Sequence, residues 1–84
     1  MNRDEALDLA RIRRVVRDGT ARAVRLEAGL SLHATGVICG CTGKAVALWE
    51  SGARRPSGER GLAYARLIRD LAREVRVDLS GDES

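Results

Sequence analysis

The sequence predicts an all-α fold: a compact bundle of about five helices that contains a helix-turn-helix. Three observations lead there. Apolar residues recur at intervals of three and four along most of the chain. Capping residues and glycines punctuate it at helix-length intervals. Strand-like alternation is confined to Val75, Val77 and Leu79 between Arg76 and Asp78, where a frayed helix end and a short edge strand are both open readings. The 84 residues suffice for one small domain and leave no room for a second. Phe is absent, and Trp49 and Tyr64 are the only aromatics, so Ala, Leu, Val and Ile must build most of the core.

The first helix is expected over about Asp4 to Arg17. Leu9, Ile12 and Val16 form its apolar stripe, Asp4, Glu5 and Asp8 complement the dipole near its start, and Asp18-Gly19 stops it. Such a stripe needs cover, so this segment is expected to be structural rather than a loose arm, with Arg11, Arg13, Arg14 and Arg17 partly exposed around it. Thr20 reads as the cap of a short second helix that Gly29 ends. Ser31 caps a third, Leu32 to Cys39, and Thr42 caps a fourth, about Gly43 to Glu50. A gap of two or three residues between two short helices is the spacing of a helix-turn-helix. Ser51 to Gly58 reads as a loop carrying Arg54 and Arg55, and Ser57 with Glu59 begins a last helix striped by Tyr64, Leu67, Ile68, Leu71 and Val75. The single domain thus divides into an N-terminal helix (1–18), a motif core (20–56), a C-terminal helix (57–79) and a tail (80–84).

Charge is distributed unevenly. The net +3 conceals a chain that is acidic at both ends and basic between them, and 14 of its 15 basic residues are Arg. Arginine's planar fork suits phosphate, although a GC-rich genome produces the same bias. No run approaches the ~18 apolar residues of a membrane span, and the first eight residues are acidic, so a cytoplasmic protein without membrane contact is expected. Cys39 and Cys41 are too close for an ordinary disulfide, and with His33 they match no usual zinc spacing. One His, no glycine-rich phosphate loop and carboxylates placed as caps or surface groups argue against catalysis, and neither a cofactor nor a small-molecule ligand is indicated.

From Arg25 to Pro56 the text RLEAGLSLHATGVICGCTGKAVALWESGARRP carries the AGLS before the first motif helix, a turn glycine at Gly40, a branched residue at Val46 and WESG at Trp49 to Gly52. With these markers at that spacing, the segment resembles the helix-turn-helix of the Cro/C1-type repressor family, especially forms from actinobacteria and their phages. Val37, Cys39, Val46 and Trp49 are then expected to point between the motif helices and fix their angle. Gly36, where the family usually has Ala, departs from the pattern and is expected to weaken the third helix by up to ~1 kcal/mol.

The resemblance implies a sequence-specific, double-stranded-DNA-binding regulator, a phage or bacterial repressor associated with the nucleoid. It also implies a homodimer if its site is palindromic. Thr42, Gly43, Lys44, Ala47 and Leu48 would face the bases: Lys44 toward guanine, and Ala47 or Leu48 toward a thymine methyl. Arg25, Ser31, His33, Arg54 and Arg55 would meet phosphate, and Arg25 would pair with Glu50. The rival reading keeps the fold and changes its use to a protein-interaction module, such as an antitoxin or a recombination accessory protein.

Overall fold

The computed structural model describes residues 1–76, and the choice between helix end and strand at 77–79 lies outside them. The described chain is five helices and no strand: α1 (Arg3–Arg17), α2 (Thr20–Glu27), α3 (Leu32–Cys39), α4 (Gly43–Glu50) and α5 (Gly58–Val75). Among them no helix is long and apolar enough to cross a membrane.

Local chemistry sets most boundaries. Asn2 and Glu5 form a reciprocal capping box that starts α1 one residue earlier than the acidic cluster suggested. Ser31 Oγ accepts from the Ala34 amide and Thr42 Oγ1 from the Ala45 amide, which fixes the starts of α3 and α4. At the second helix the expected cap is displaced: Gly19 is the capping residue, Thr20 is already helical, and Asp18 Oδ1 accepts the Thr20 amide proton instead. Hydrogen bonding from the Thr20 side chain, and then from its amide, holds the Asp18 carboxyl below its usual range. The last helix ends at Val75, with Arg76 as its left-handed C-cap.

α1 lies along α5 and α2, and α3 and α4 pack on each other across the 40–42 turn. Gly40 takes a φ of 76° there, a conformation that favours residues without a Cβ. The shared core takes Leu9, Ile12, Val15 and Val16 from α1, Ala21 and Val24 from α2, Cys39 from α3, Val46 and Trp49 from α4, and Leu62, Tyr64, Ala65, Ile68 and Ala72 from α5. α1 is therefore a core element and not an arm. In this small core the two aromatics meet, with Trp49 and Tyr64 ring centroids 5.1 Å apart at 36°.

Two expectations about the motif are corrected. Val37 does not point between the helices: it is 64% exposed, and neighbouring Ile38 is 56% exposed, because the inward positions of α3 are Thr35, Gly36 and Cys39. Gly36 is not merely a weak point in its helix. A Cβ there would stand 2.5 Å from the Thr42 carbonyl carbon and 2.7 Å from the Gly43 nitrogen, both backbone atoms that cannot swing aside. The close approach of α3 to the start of α4 thus requires glycine, whatever it costs in propensity.

Gly36→Ala is accordingly expected to destabilise the chain by about 1–3 kcal/mol, the usual cost of overpacking, despite the helix-propensity gain of up to ~1 kcal/mol. Urea denaturation checks this. A variant more stable than the parent would show that the helices have room to part.

Candidate nucleic-acid interface

The geometry of α4 is set from behind. Arg25 Nε donates to Glu50 Oε2 at 2.7 Å and Nη2 to Oε1 at 2.9 Å, so the expected pair is present and two-pronged. Nη1 donates to the Leu30 carbonyl at 2.8 Å, and Tyr64 Oη donates to Glu50 Oε2 at 2.9 Å. One carboxylate at the end of α4 thereby ties α2, α5 and the 28–31 turn together. Both side chains of the ion pair are 5% exposed. Hydrogen bonding to Glu50 pushes the Arg25 pKa further up, and burial, with the Glu50 charge beside it, pushes the Tyr64 phenol well above its usual range.

All three nitrogens of the Arg25 guanidinium are engaged, through three of the five N–H donors, and the side chain is 5% exposed, so in this structure Arg25 holds α4, and its phosphate contact stays an expectation of the resemblance.

The remaining candidates lie on or beside the outer side of the motif. Thr42, Lys44, Ser31, His33, Arg54 and Arg55 are exposed, while Ala47 and Leu48 are half-buried along α4. Ser31 and Thr42 use an oxygen lone pair for capping and keep a hydroxyl proton to donate. Gly43, the first residue of α4, lies against the start of α3. A Cβ on it would come within 3.0–3.2 Å of the Leu32 and His33 backbone, so its missing side chain serves the contact of the two helices.

The arginine loop is pinned at several points rather than loosely solvated. The Arg54 amide donates to the Leu48 carbonyl, the Ala53 amide to Ser51 Oγ, and Arg13 Nε of α1 to the Pro56 carbonyl at 3.0 Å. Pro56 is itself buried against Gly61. Two clefts flank the loop. One is lined by Cys41, Ala45, Leu48, Trp49, Arg54, Arg55 and Arg60, over the outer face of α4. The other lies toward α1 and includes Arg13 and Arg17.

The sequence reading missed Arg13, Arg17 and Arg60. Arg13 and Pro56 are 43 residues apart, and no local spacing reveals such a contact.

One group of cations is paired where α1 meets α5. Asp8 is buried between α1 and α5 and lies 3.3 Å from Arg11, 3.6 Å from Arg69 and 3.9 Å from Arg66, which also meets Glu5. Arg69 contacts Asp70 as well. Around α4, by contrast, Arg17, Lys44, Arg54, Arg55 and Arg60 form no carboxylate ion pair among the described residues. Among the same residues no three His, Cys, Asp or Glu side chains gather as a metal site. Burial pushes the Cys39 thiol up to about 11, which keeps it protonated at neutral pH and a poor ligand.

Comparison of the chain with protein-family models, with curated proteins and with solved structures finds no match. The functional reading therefore stands on the site itself.

Glu50→Ala would strand a buried guanidinium and leave the Tyr64 hydroxyl without its acceptor. A loss of about 3–5 kcal/mol is expected, against the few tenths typical of a surface change. Glu50→Gln, which keeps an acceptor, should lose less. Equilibrium denaturation reads both, and a loss below about 1 kcal/mol for Glu50→Ala would show that the network is not structural.

Proposed function

We propose that the protein is a sequence-specific binder of double-stranded DNA, a transcriptional regulator of the Cro/C1 repressor type, that presents α4 to the major groove. The observation carrying this reading is the group of cations that borders α4 and its loop: Arg17, Lys44, Arg54, Arg55 and Arg60 form no carboxylate ion pair among the described residues, which leaves their charge available for phosphate.

An α-helix fits the major groove, about 12 Å wide, with its first residues nearest the base edges. Thr42 and Lys44 occupy that end of α4. Lys44 is its one long donor and suits guanine O6 or N7, while Ala47 and Leu48 offer apolar contact to a thymine methyl. With so few polar readers on α4, part of the specificity falls to DNA shape. Arg54 and Arg55 take backbone phosphates from the pinned loop, and Ser31 and His33, beside the first amides of α3, add a further contact there. A palindromic site calls for a homodimer.

The exposed apolar residues Leu26, Val37 and Ile38 favour the rival, an interaction module that docks on protein. Salt separates the two. Each phosphate contact contributes a slope of about −0.9 in log K against log salt, so Arg54 and Arg55 together imply about a 12-fold loss of affinity between 50 and 200 mM salt. Protein docking through apolar surface would be nearly indifferent to that change.

Lys44→Ala is expected to relax base preference by about 1–3 kcal/mol at one position. The double change Arg54→Ala and Arg55→Ala should weaken binding to every duplex and flatten the salt slope by about two units. Selection from a randomised duplex library, followed by titration at several salt concentrations, reads both. Equal losses on selected and random DNA for Lys44→Ala would show that α4 is not reading bases through this residue.

A further inference from the structure

The second cleft beside the arginine loop lies between the last turns of α1 and residues 52–56. Its floor is apolar, made by Val16, Trp49 and Pro56, and its rim carries Arg13, Arg17, Arg54 and Arg55. Arg13 and Arg17 are four residues apart and so share one face of α1. Arg13 spends its Nε on the Pro56 carbonyl, which holds the loop against α1. Arg17, one turn further on, is exposed and has no carboxylate partner among the described residues. Three available guanidinium groups thus converge on a single small concavity. The cleft over α4 shares Trp49, Arg54 and Arg55 with it, so the two form one basic track from Arg60 to Arg17.

We propose that Arg17 extends the DNA interface beyond the helix-turn-helix, with the α1 cleft receiving a backbone phosphate and its sugar from the strand that Arg54 and Arg55 grip. The proposal rests on the DNA-binding reading and deepens it. Size selects the occupant: at about 230 Å³ the cleft falls below the ~300–1,000 Å³ of ordinary small-molecule pockets, while a phosphate on the rim with a deoxyribose against the apolar floor is a smaller object. Charge selects it too, because the rim offers donors and no carboxylate. α1 then has two roles on two faces: Leu9, Ile12 and Val15 fill the core, and the Arg13–Arg17 face orders the loop and lengthens the phosphate track. Arg13 is the positioning residue of this pair and Arg17 the contacting one.

A competing role for Arg17 is purely structural, since a cation in the last turn of a helix complements its dipole. The test therefore follows DNA affinity and folding together, with the full chain and one fixed duplex of random sequence between 50 and 200 mM salt. Arg17→Gln is expected to flatten the salt slope by about 0.9, so that its affinity falls about 3.5-fold less over that range than the parent's. Its denaturation midpoint should stay unchanged, and Arg17→Lys, which keeps the charge, should restore most of the slope. A parental slope in Arg17→Gln, or a failure of Arg17→Lys to restore it, overturns the proposal while leaving the α4 interface intact, provided Arg54→Ala still flattens the slope. Absence of duplex binding by the unaltered chain overturns the proposal and the DNA-binding reading together.

Discussion

Burying Arg25 beside Glu50 strips two charges of hydration, and the bundle tolerates this because every strong contact they need is supplied in place. The carboxylate receives two guanidinium bonds and the Tyr64 hydroxyl, and the third arginine nitrogen finds the Leu30 carbonyl. An apolar trio of similar volume would be about as stable. It would not fix the rotation of α4 about its own axis, because apolar contacts are non-directional whereas a two-pronged arginine bond is not. Glu50 is the last residue of α4, so anchoring it settles which residues of that short helix face inward and which face out. Val46 and Trp49 then fill the core, and Thr42, Lys44, Ala47 and Leu48 are left on the outer side.

The front of α4 is governed by a second constraint, the allocation of carboxylates. Asp8 and Glu5 gather Arg11, Arg66 and Arg69 where α1 crosses α5, and those ion pairs cancel much of the positive charge on that side. No such partner stands beside Arg54 or Arg55 among the described residues. With a net charge of only +3, Lys44, Arg54, Arg55 and Arg60 stand without a carboxylate ion pair, among the described residues, where α4 and its following loop emerge. The loop is held by Arg13 and by the backbone bond to Leu48, so its guanidinium groups are displayed from a fixed frame and lose less freedom on meeting an anion.

What was legible in the sequence was what local chemistry determines. The starts of α3 and α4 follow from Ser31 and Thr42, whose side chains reach only three residues ahead, and the Gly40 turn follows from backbone conformation alone. The apolar stripe of α1 also identified it as a core helix. The Arg25–Glu50 bond came from the resemblance, but the inward turn of the guanidinium did not, because it depends on Tyr64 and Leu30 closing around the pair. Gly36 was misjudged for a related reason: helix propensity is a property of one segment, whereas the need for glycine arises from a backbone 2.5 Å from where its Cβ would be. Val37 shows the same limit, since an eight-residue helix has too few turns for its apolar residues to define one inward face. Arg13, Arg17 and the Asp8 cluster depend on contacts between distant helices.

The central proposal is that duplex DNA meets the outer side of α4 and its arginine loop, with the start of α3 and the Arg17 cleft beside them, and not the Asp8 side of the bundle. The most direct measurement is an amide NMR titration of the protein with a short duplex at low salt, mapped residue by residue. The account predicts the largest shifts at residues 42–48 and 52–57, with a smaller response near Arg17 and little change around Asp8, Arg66 and Arg69. Largest shifts at Arg66 to Arg73, or at Leu26, Val37 and Ile38 with the α4 amides unmoved, would contradict it.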